Sequence, residues 1–392
     1  MKKLFLPLII AVILQILPQL TFPQASEGEK FVDPNQSRID SLLNAIKPDS
    51  PDSVKAWNYS RVANITCDLD TSLKYSFLSL DYCNETYSEL DNIRAYNYNI
   101  IAFAYYMRDE SRKALQYRFK SAAIYNKVSD KRREAATFIH VGNCYLDLNI
   151  KDSVFYYYNK AILTLIEIQD TAFIIDAYNN LGQIYYSMAL YDNATENYQK
   201  ALDYSVASKD MLNMASCYCY LGTTMSFQSD TLIDLAIANL VKSVNLFETK
   251  GSLRHYDLEK KHFAYMSLAQ AYIKKAKLTG AKTYADRCRI FVEKAANYYK
   301  SVGSVNNYLN SRYCYVDYLI FYKRYSDALA ELMNLEKYMQ TEDHLVNGYQ
   351  VYYNYLYEVY SHLGDYKNAL KYHEKYMEYK MAYVNDSTLN TI

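Results

Sequence analysis

No proline follows Pro51. All six prolines of this 392-residue chain (Pro7, Pro18, Pro23, Pro34, Pro48 and Pro51) lie at its amino-terminal end. Glycine is almost as scarce, with nine residues in all. Tight turns draw on both residue types, so their scarcity speaks against sandwiches, barrels and doubly wound sheets. A proline-free stretch of this length is what long, closely spaced helices require. Surplus charge is missing too, since 43 basic residues balance 43 acidic ones. Binding nucleic acid by phosphate neutralisation needs a basic excess, so nucleic acid is not an expected partner. The patterns G-x-x-x-x-G-K, G-x-G-x-x-G, G-x-S-x-G and H-E-x-x-H do not occur, which leaves no recognisable phosphate cradle, nucleophile elbow or zinc helix.

The six histidines include no pair spaced i, i+4, and His255 and His262 stand two helical turns apart. Seven cysteines, an odd number, leave at least one without a partner in a monomer. No C-x-x-C occurs, and Cys217 and Cys219 would lie about 200° apart around a helix, too far to grip one metal. Dispersed thiols of this kind read as core filler rather than a disulfide framework. One pair, Cys288 with Cys314, falls on adjacent helices and could bridge. The expectation is therefore a protein with no metal, no cofactor and no catalytic residues, and so not an enzyme.

What is abundant is apolar surface: 51% of residues are hydrophobic and 22% charged, with 46 tyrosines. Such a chain folds around a large core. At the start, Met1-Lys2-Lys3 precedes an almost wholly apolar run from Leu4 to Leu17, and a polar stretch ends at Ala25. The run is shorter than the roughly 20 residues that span a bilayer, and it fits an export signal. Residues 1–25 are expected to be a signal peptide, with an uncleaved membrane anchor as the alternative, and the mature chain periplasmic or extracellular. No membrane contact is expected beyond such an anchor. Residues 26–54, rich in Pro, Asp and Ser, read as a linker with a short amphipathic turn at Ile39, Leu42, Leu43 and Ile46. Residues 384–392 read as a tail.

Between them runs a ruler. Gly142, Gly182 and Gly222 recur at a constant interval, each after an aliphatic residue, and Asp130, Asp170 and Asp210 keep the same interval. Around Gly182 the order is Tyr178, Leu181, Gly182, Tyr185, then Tyr191, Ala194, Tyr198, Ala201. Around Gly142 it is Phe138, Val141, Gly142, Tyr145, then Val154, Tyr158, Ala161. Offsets of 3, 4 and 7 place each set on one helix face. A mid-helix glycine costs about 1 kcal/mol relative to alanine. Its recurrence implies a close crossing of two helices, with the small Ala161, Ala194 and Ala201 expected opposite the glycines and Tyr145 and Tyr185 filling the wedge.

These residues resemble the tetratricopeptide repeat: an aromatic, Leu-Gly and Tyr in the first helix of a pair, then Ala, an aromatic and Ala in the second. Taking the glycine slot as the ruler places about eight units over residues 55–383, at Ala63, Ala102, Gly142, Gly182, Gly222, Ala269, Val316 and Tyr357. The family's proline at the end of the second helix is absent. The unit runs to roughly 40 residues, longer than the family's usual one. That is similar to exported bacterial and regulatory tetratricopeptide proteins and to kinesin-light-chain-like repeats. The resemblance implies an all-α, right-handed α-solenoid of tandem helix-turn-helix units.

In such arrays the first helices line the concave side, with residues three before and one after the glycine slot looking inward. Here these are Asn99 and Phe103, Ile139 and Asn143, Asn179 and Gln183, and Cys219 and Thr223. Asn143, Asn179, Gln183 and Thr223, flanked by Tyr186 and Phe227, are the expected binding groove. Side-chain amides both donate and accept, which suits an extended peptide backbone. The carboxylate-gripping subfamily has Lys three before the glycine slot, where this chain has Asn, Ile or Cys. The expected function is a non-enzymatic, exported scaffold that binds a protein or peptide. The alternative is the sensor half of a membrane-associated bacterial signalling or transcription regulator without its output domain.

Overall fold

The computed structural model describes residues 33–83, 90–339 and 346–389. The expected signal peptide, the first part of the expected linker and the last three residues of the tail lie outside them. The described residues contain seventeen α-helices and no strand. In chain order they are α1 Gln36–Asn44, α2 Asp52–Ile65, α3 Leu69–Asp81, α4 Asp91–Met107, α5 Ser111–Lys127 and α6 Lys131–Asp147. Then come α7 Lys151–Glu167, α8 Thr171–Ser187, α9 Tyr191–Ala207, α10 Met211–Gln228, α11 Ile233–Thr249 and α12 His255–Thr279. The last are α13 Lys282–Ser301, α14 Val305–Phe321, α15 Tyr325–Met339, α16 Val346–Leu363 and α17 Tyr366–Leu389. Taken two at a time from α2, they make eight successive pairs. None of the described helices is long and apolar enough to cross a membrane. The chain divides into two compact units, whose boundary in sequence falls between Leu181 and Gly182, within α8.

From α4 to α9 every helix has the same length, and the starting residues Asp91, Ser111, Lys131, Lys151, Thr171 and Tyr191 are evenly spaced. Short connections of constant length make this regularity, and glycine does not make them. Asp109, Ser129, Asn149, Gln169, Ala189 and Lys209 each take φ between 55° and 59°, a left-handed conformation that costs a residue with a Cβ about 1–2 kcal/mol. The return is hydrogen bonding at the helix ends. The next residue's N–H reaches back to the last turn, as in Glu110 N to Tyr105 O at 2.9 Å, Ile150 N to Tyr145 O at 2.9 Å and Leu190 N to Tyr185 O at 2.9 Å, the bond that closes a Schellman cap. The recurring aspartates start the following helices: Asp130 accepts from Arg133 N at 3.0 Å, and Asp210 accepts from Leu212 N and Asn213 N, both at 3.1 Å.

In the first unit, apolar residues cluster around Ala102 and Val141, around Val62, around Ala56 and around Ile101, and Tyr158, Leu165, Ile174 and Ile175 are almost fully buried as well. The stretch expected as a linker is folded from Asp33 onward. Asp33 accepts from Thr66 Oγ1 and Cys67 N, both at 2.7 Å, and Ile39 and Leu42 of α1 pack on Val62 of α2. The periodic apolar residues of α1 supply a buried face, so the ordered chain reaches well upstream of residue 55.

The glycines sit at close crossings, although alanines are not what faces them. A Cβ on Gly142 would lie 2.6 Å from the ring of Tyr158, and one on Gly182 would lie 2.7 Å from the ring of Tyr198. One side of each tyrosine ring fills the space at the glycine, while Ala161, Ala194 and Ala201 are fully buried. Gly222 is the exception: a Cβ there would meet the Leu240 side chain at 2.6 Å and the carbonyl of an alanine, Ala236, at 2.7 Å, so here the helix backbones themselves come close. A second device is a tyrosine in the last two turns of one helix stacked on a tyrosine early in the next: Tyr105 on Tyr117 at 5.7 Å, Tyr145 on Tyr157 at 5.5 Å, Tyr272 on Tyr284 at 6.2 Å and Tyr360 on Tyr372 at 5.4 Å. In the last pair the slot residue Tyr357 is 37% exposed, its ring 4.7 Å from that of His373.

In the second unit one continuous apolar core runs from Ala215 to Val359. Its centre is held by Leu240, Phe247, Leu268, Val292, Leu319 and Leu332, all almost fully buried. All seven cysteines are buried thiols, and Cys288 Sγ lies 3.7 Å from Cys314 Sγ in this core.

Candidate ligand cleft in the first unit

Helices α4, α5 and α6, with Phe173 of α8, enclose a cleft of about 270 Å³. Asn99 and Phe103 bring to it the two inward positions of α4, one turn apart on the same face. Ile100 and Tyr96 extend this wall, α5 contributes Arg118 and Tyr125, and α6 contributes Arg132, Arg133, Ala136, Thr137 and His140. The walls are aromatic and aliphatic, and the polar groups converge from three helices.

At the mouth, two guanidinium groups are already partnered. Arg132 Nε is 2.7 Å from Asp170 Oδ2, and its guanidinium carbon lies 4.4 Å from the centre of the Phe173 ring. Arg133 Nη1 is 2.9 Å from Asp130 Oδ2. Both side chains are more than half exposed, so their ion pairs are screened and contribute little to stability.

Deeper in, Arg118 is different. It is only 4% exposed. Its Nη1 donates to Asn99 Oδ1 at 2.8 Å, Asn99 Nδ2 donates to Thr137 Oγ1 at 3.2 Å, and Thr137 Oγ1 donates to Arg133 O at 2.8 Å. Arg118 Nε has no acceptor. The ionisable groups facing the guanidinium are Cys144, Tyr106, Tyr125 and His140. None of these is an anion at neutral pH. Burial pushes the Cys144 thiol up to about 12 and raises the Tyr106 and Tyr125 phenols. Burial, then the Arg118 charge, holds the His140 imidazole well below its ordinary value, so it is neutral. Desolvation lowers Arg118 itself to about 10, which leaves it charged at pH 7. Among the described residues, this buried cation has no carboxylate partner.

The six residues expected to form the groove divide between the two units. In the first, Asn143 is 5% exposed and accepts a hydrogen bond from Tyr158 Oη, so its amide is committed to the helix crossing. Asn179 is 9% exposed. Neither stands free in solvent as a groove amide would. In the second unit, Gln183, Tyr186 and Thr223 are half-buried and Phe227 is 53% exposed. Tyr186 and Phe227 meet edge to face at 6.0 Å, and Thr223 Oγ1 donates to Cys219 O of its own helix at 2.8 Å.

The rule of inward positions reached Asn99 and Phe103 and missed Arg118, Arg132, Arg133 and His140. Arg118 lies on the second helix of its pair, where only the alanine and aromatic slots carry a pattern. A buried arginine looks, in a sequence, like any solvated one. No group of three or more His, Cys, Asp or Glu side chains is placed to hold a metal among the described residues.

No family model matches the sequence, and no curated protein does. Solved structures do match the fold. Aspartyl phosphate phosphatase F from Bacillus subtilis aligns at 15% identity over 88% of this chain and 87% of its own, with a TM-score of 0.57. A signal-transduction ATPase with numerous domains from Pyrococcus horikoshii, described as having a tetratricopeptide repeat sensor, aligns at 16% identity over 90% of this chain and 53% of its own, TM-score 0.56. The fold is a tetratricopeptide-like helical-repeat solenoid. A Rap protein complexed with competence and sporulation factor has the same fold, at 14% identity over 89% of this chain and 97% of its own, TM-score 0.51. In tetratricopeptide-like terms, the cleft takes the inner positions Asn99 and Phe103 of α4, a different face of α6 with Arg133, Thr137 and His140, and the second helix of one pair, α5.

Proposed function

We propose that this tetratricopeptide-like chain is a non-enzymatic scaffold that binds a peptide, or an extended segment of a protein, through the inner positions of its repeats. The observation that carries this reading is the α4–α6 cleft, where an amide, aromatic walls and a buried cation converge on a cavity wide enough for one or two side chains. Amides pair with an extended backbone, each hydrogen bond contributing about 0.5–1.5 kcal/mol net. Aromatic walls give contact area at low entropic cost. Gln183, Tyr186, Thr223 and Phe227 are a second candidate contact region, and Asn143 and Asn179 remain candidate contacts of the first unit. The first cleft is favoured as the anchor because its buried cation, Arg118, has no carboxylate partner among the described residues and an Nε without an acceptor.

The same proposal places the protein outside the cytoplasm, with residues 1–25 as the export signal. Fractionation with amino-terminal sequencing tests this part: a mature chain beginning near Ser26 in an exported fraction supports it, and full-length protein in the cytosol overturns it.

Binding is tested by selecting a displayed random-peptide library on the full chain and measuring the winners by calorimetry. Replacing Asn99 and Phe103 together by alanine is expected to weaken a selected peptide tenfold or more. A Gln183→Ala, Phe227→Ala double variant is expected to change affinity less. Failure of any sequence to be enriched would overturn the peptide reading.

A further inference from the structure

Arg118 is an uncompensated charge inside a fold that has charge partners to spare. Two other buried ions of the same unit have charged partners: Asp91, fully buried, holds Arg94 and lies 3.0 Å from Lys127 Nζ, and Glu134 Oε2 lies 3.4 Å from Lys131 Nζ. A buried cation without an anion is costly, because desolvation is not repaid by a nearby opposite charge. Arg118 has one neutral acceptor, Asn99, and an Nε with none. It is also a wall of the cleft, and the remaining walls include Phe103, Ile100, Tyr125 and Phe173.

We infer that the cleft binds a carboxylate carried next to an apolar group, with Arg118 as the anchoring cation. The inference rests on the peptide-binding reading and names the group that the peptide presents. A single uncompensated positive charge matches a monoanion, and a planar guanidinium with donors to spare matches a carboxylate. The anchor stands on the second helix of its pair, so it is a different device from a lysine on the first helices. The residues three before the small slots of α4 and α6 are Asn99 and Ile139. Asn99 orients the guanidinium through Nη1, and neutral His140 adds no competing charge.

Two sources share this chemistry: the carboxyl terminus of a peptide, or an Asp or Glu side chain within one. Three probes separate them on the full chain by ligand-observed NMR titration: N-acetyl-leucyl-phenylalanine as the free acid, the same dipeptide as its amide, and N-acetyl-aspartyl-phenylalanine amide. The expected result is at least tenfold tighter binding of one or both carboxylate probes than of the uncharged amide. Preference for the free acid assigns the carboxyl terminus, and preference for the aspartyl amide assigns a side chain. Arg118→Gln is expected to remove the preference. Asn99→Asp provides an internal carboxylate beside Arg118 and is expected to remove it as well, with the melting temperature held or raised, so loss of binding is separated from loss of fold. Equal binding of all three probes, no binding of any, or a preference surviving in either variant would overturn the inference. If library-selected peptides still bind and respond to the Asn99→Ala, Phe103→Ala variant, the peptide reading stands without it.

Discussion

The two units are built from the same helix pairs and differ in how much charge they bury. In the second, one apolar core extends from α10 to α16, and among the described residues the only charged side chain buried there is Asp257. In the first, Asp33, Asp91, Arg94, Arg118, Glu134 and His140 are all buried. Apolar packing is tolerant of sequence and specifies no ligand. Buried polar groups are costly wherever they are not matched. The contrast points to the first unit for recognition chemistry, because that is where buried charge is concentrated.

The largest effect should follow from making the second interior resemble the first. Leu268 is fully buried at the centre of the continuous core. Leu268→Gln is expected to cost about 3–5 kcal/mol in urea melts, combining lost burial with an unmatched amide. A loss below about 1 kcal/mol would show that this core is not what holds the second unit.

Acid should act on the first unit. Because His140 is held well below its ordinary value by burial and by Arg118, the folded state resists its protonation. The stability that follows is fully present above the unfolded value near 6.5 and is lost as pH falls below it. His140→Gln, which cannot titrate, should flatten the pH dependence of stability below pH 6.5, and an unchanged slope would exclude a neutral, buried imidazole.

Making the first interior resemble the second should work the other way. Arg118→Met removes the unpaired charge while keeping volume, and it is expected to raise stability by about 1–2 kcal/mol. A clear loss would mean that the guanidinium is satisfied within the fold.

The smallest predicted effect concerns the turns. Ala189 is exposed at φ 57°, and Ala189→Gly should stabilise by about 0.5–1 kcal/mol, the relief of Cβ strain less the added freedom of the unfolded chain. Urea melts of the two proteins check it, and a loss of stability would show that the left-handed turn carries no strain.

These turns also mark the limit of what could be read from residues alone. The absence of proline after Pro51 and the Gly142, Gly182, Gly222 ruler made the helical-repeat architecture legible, because helix continuity and close crossings leave compositional traces. The left-handed connections left none: Asp109, Ser129, Gln169 and Lys209 are ordinary residues forced into φ > 0 by the hydrogen bonds on either side. The packing of α1 was underestimated because so short a helix offers only two or three buried positions. In the cleft, Asn99 and Phe103 were legible from their offset to the small slot. Arg118 and His140 were not, since burial of a charge depends on which helices meet around it. Nor could the slot show that Asn143 Oδ1 accepts from Tyr158 Oη of the next helix.

Hydrogen exchange read by mass spectrometry on the full chain, with and without a peptide selected from a library, tests the division of labour most directly. The account predicts that bound peptide slows exchange in α4, α5 and α6 and leaves the core helices α11 to α14 unchanged. Slowing confined to the second unit, with α4 to α6 unaffected, would contradict it.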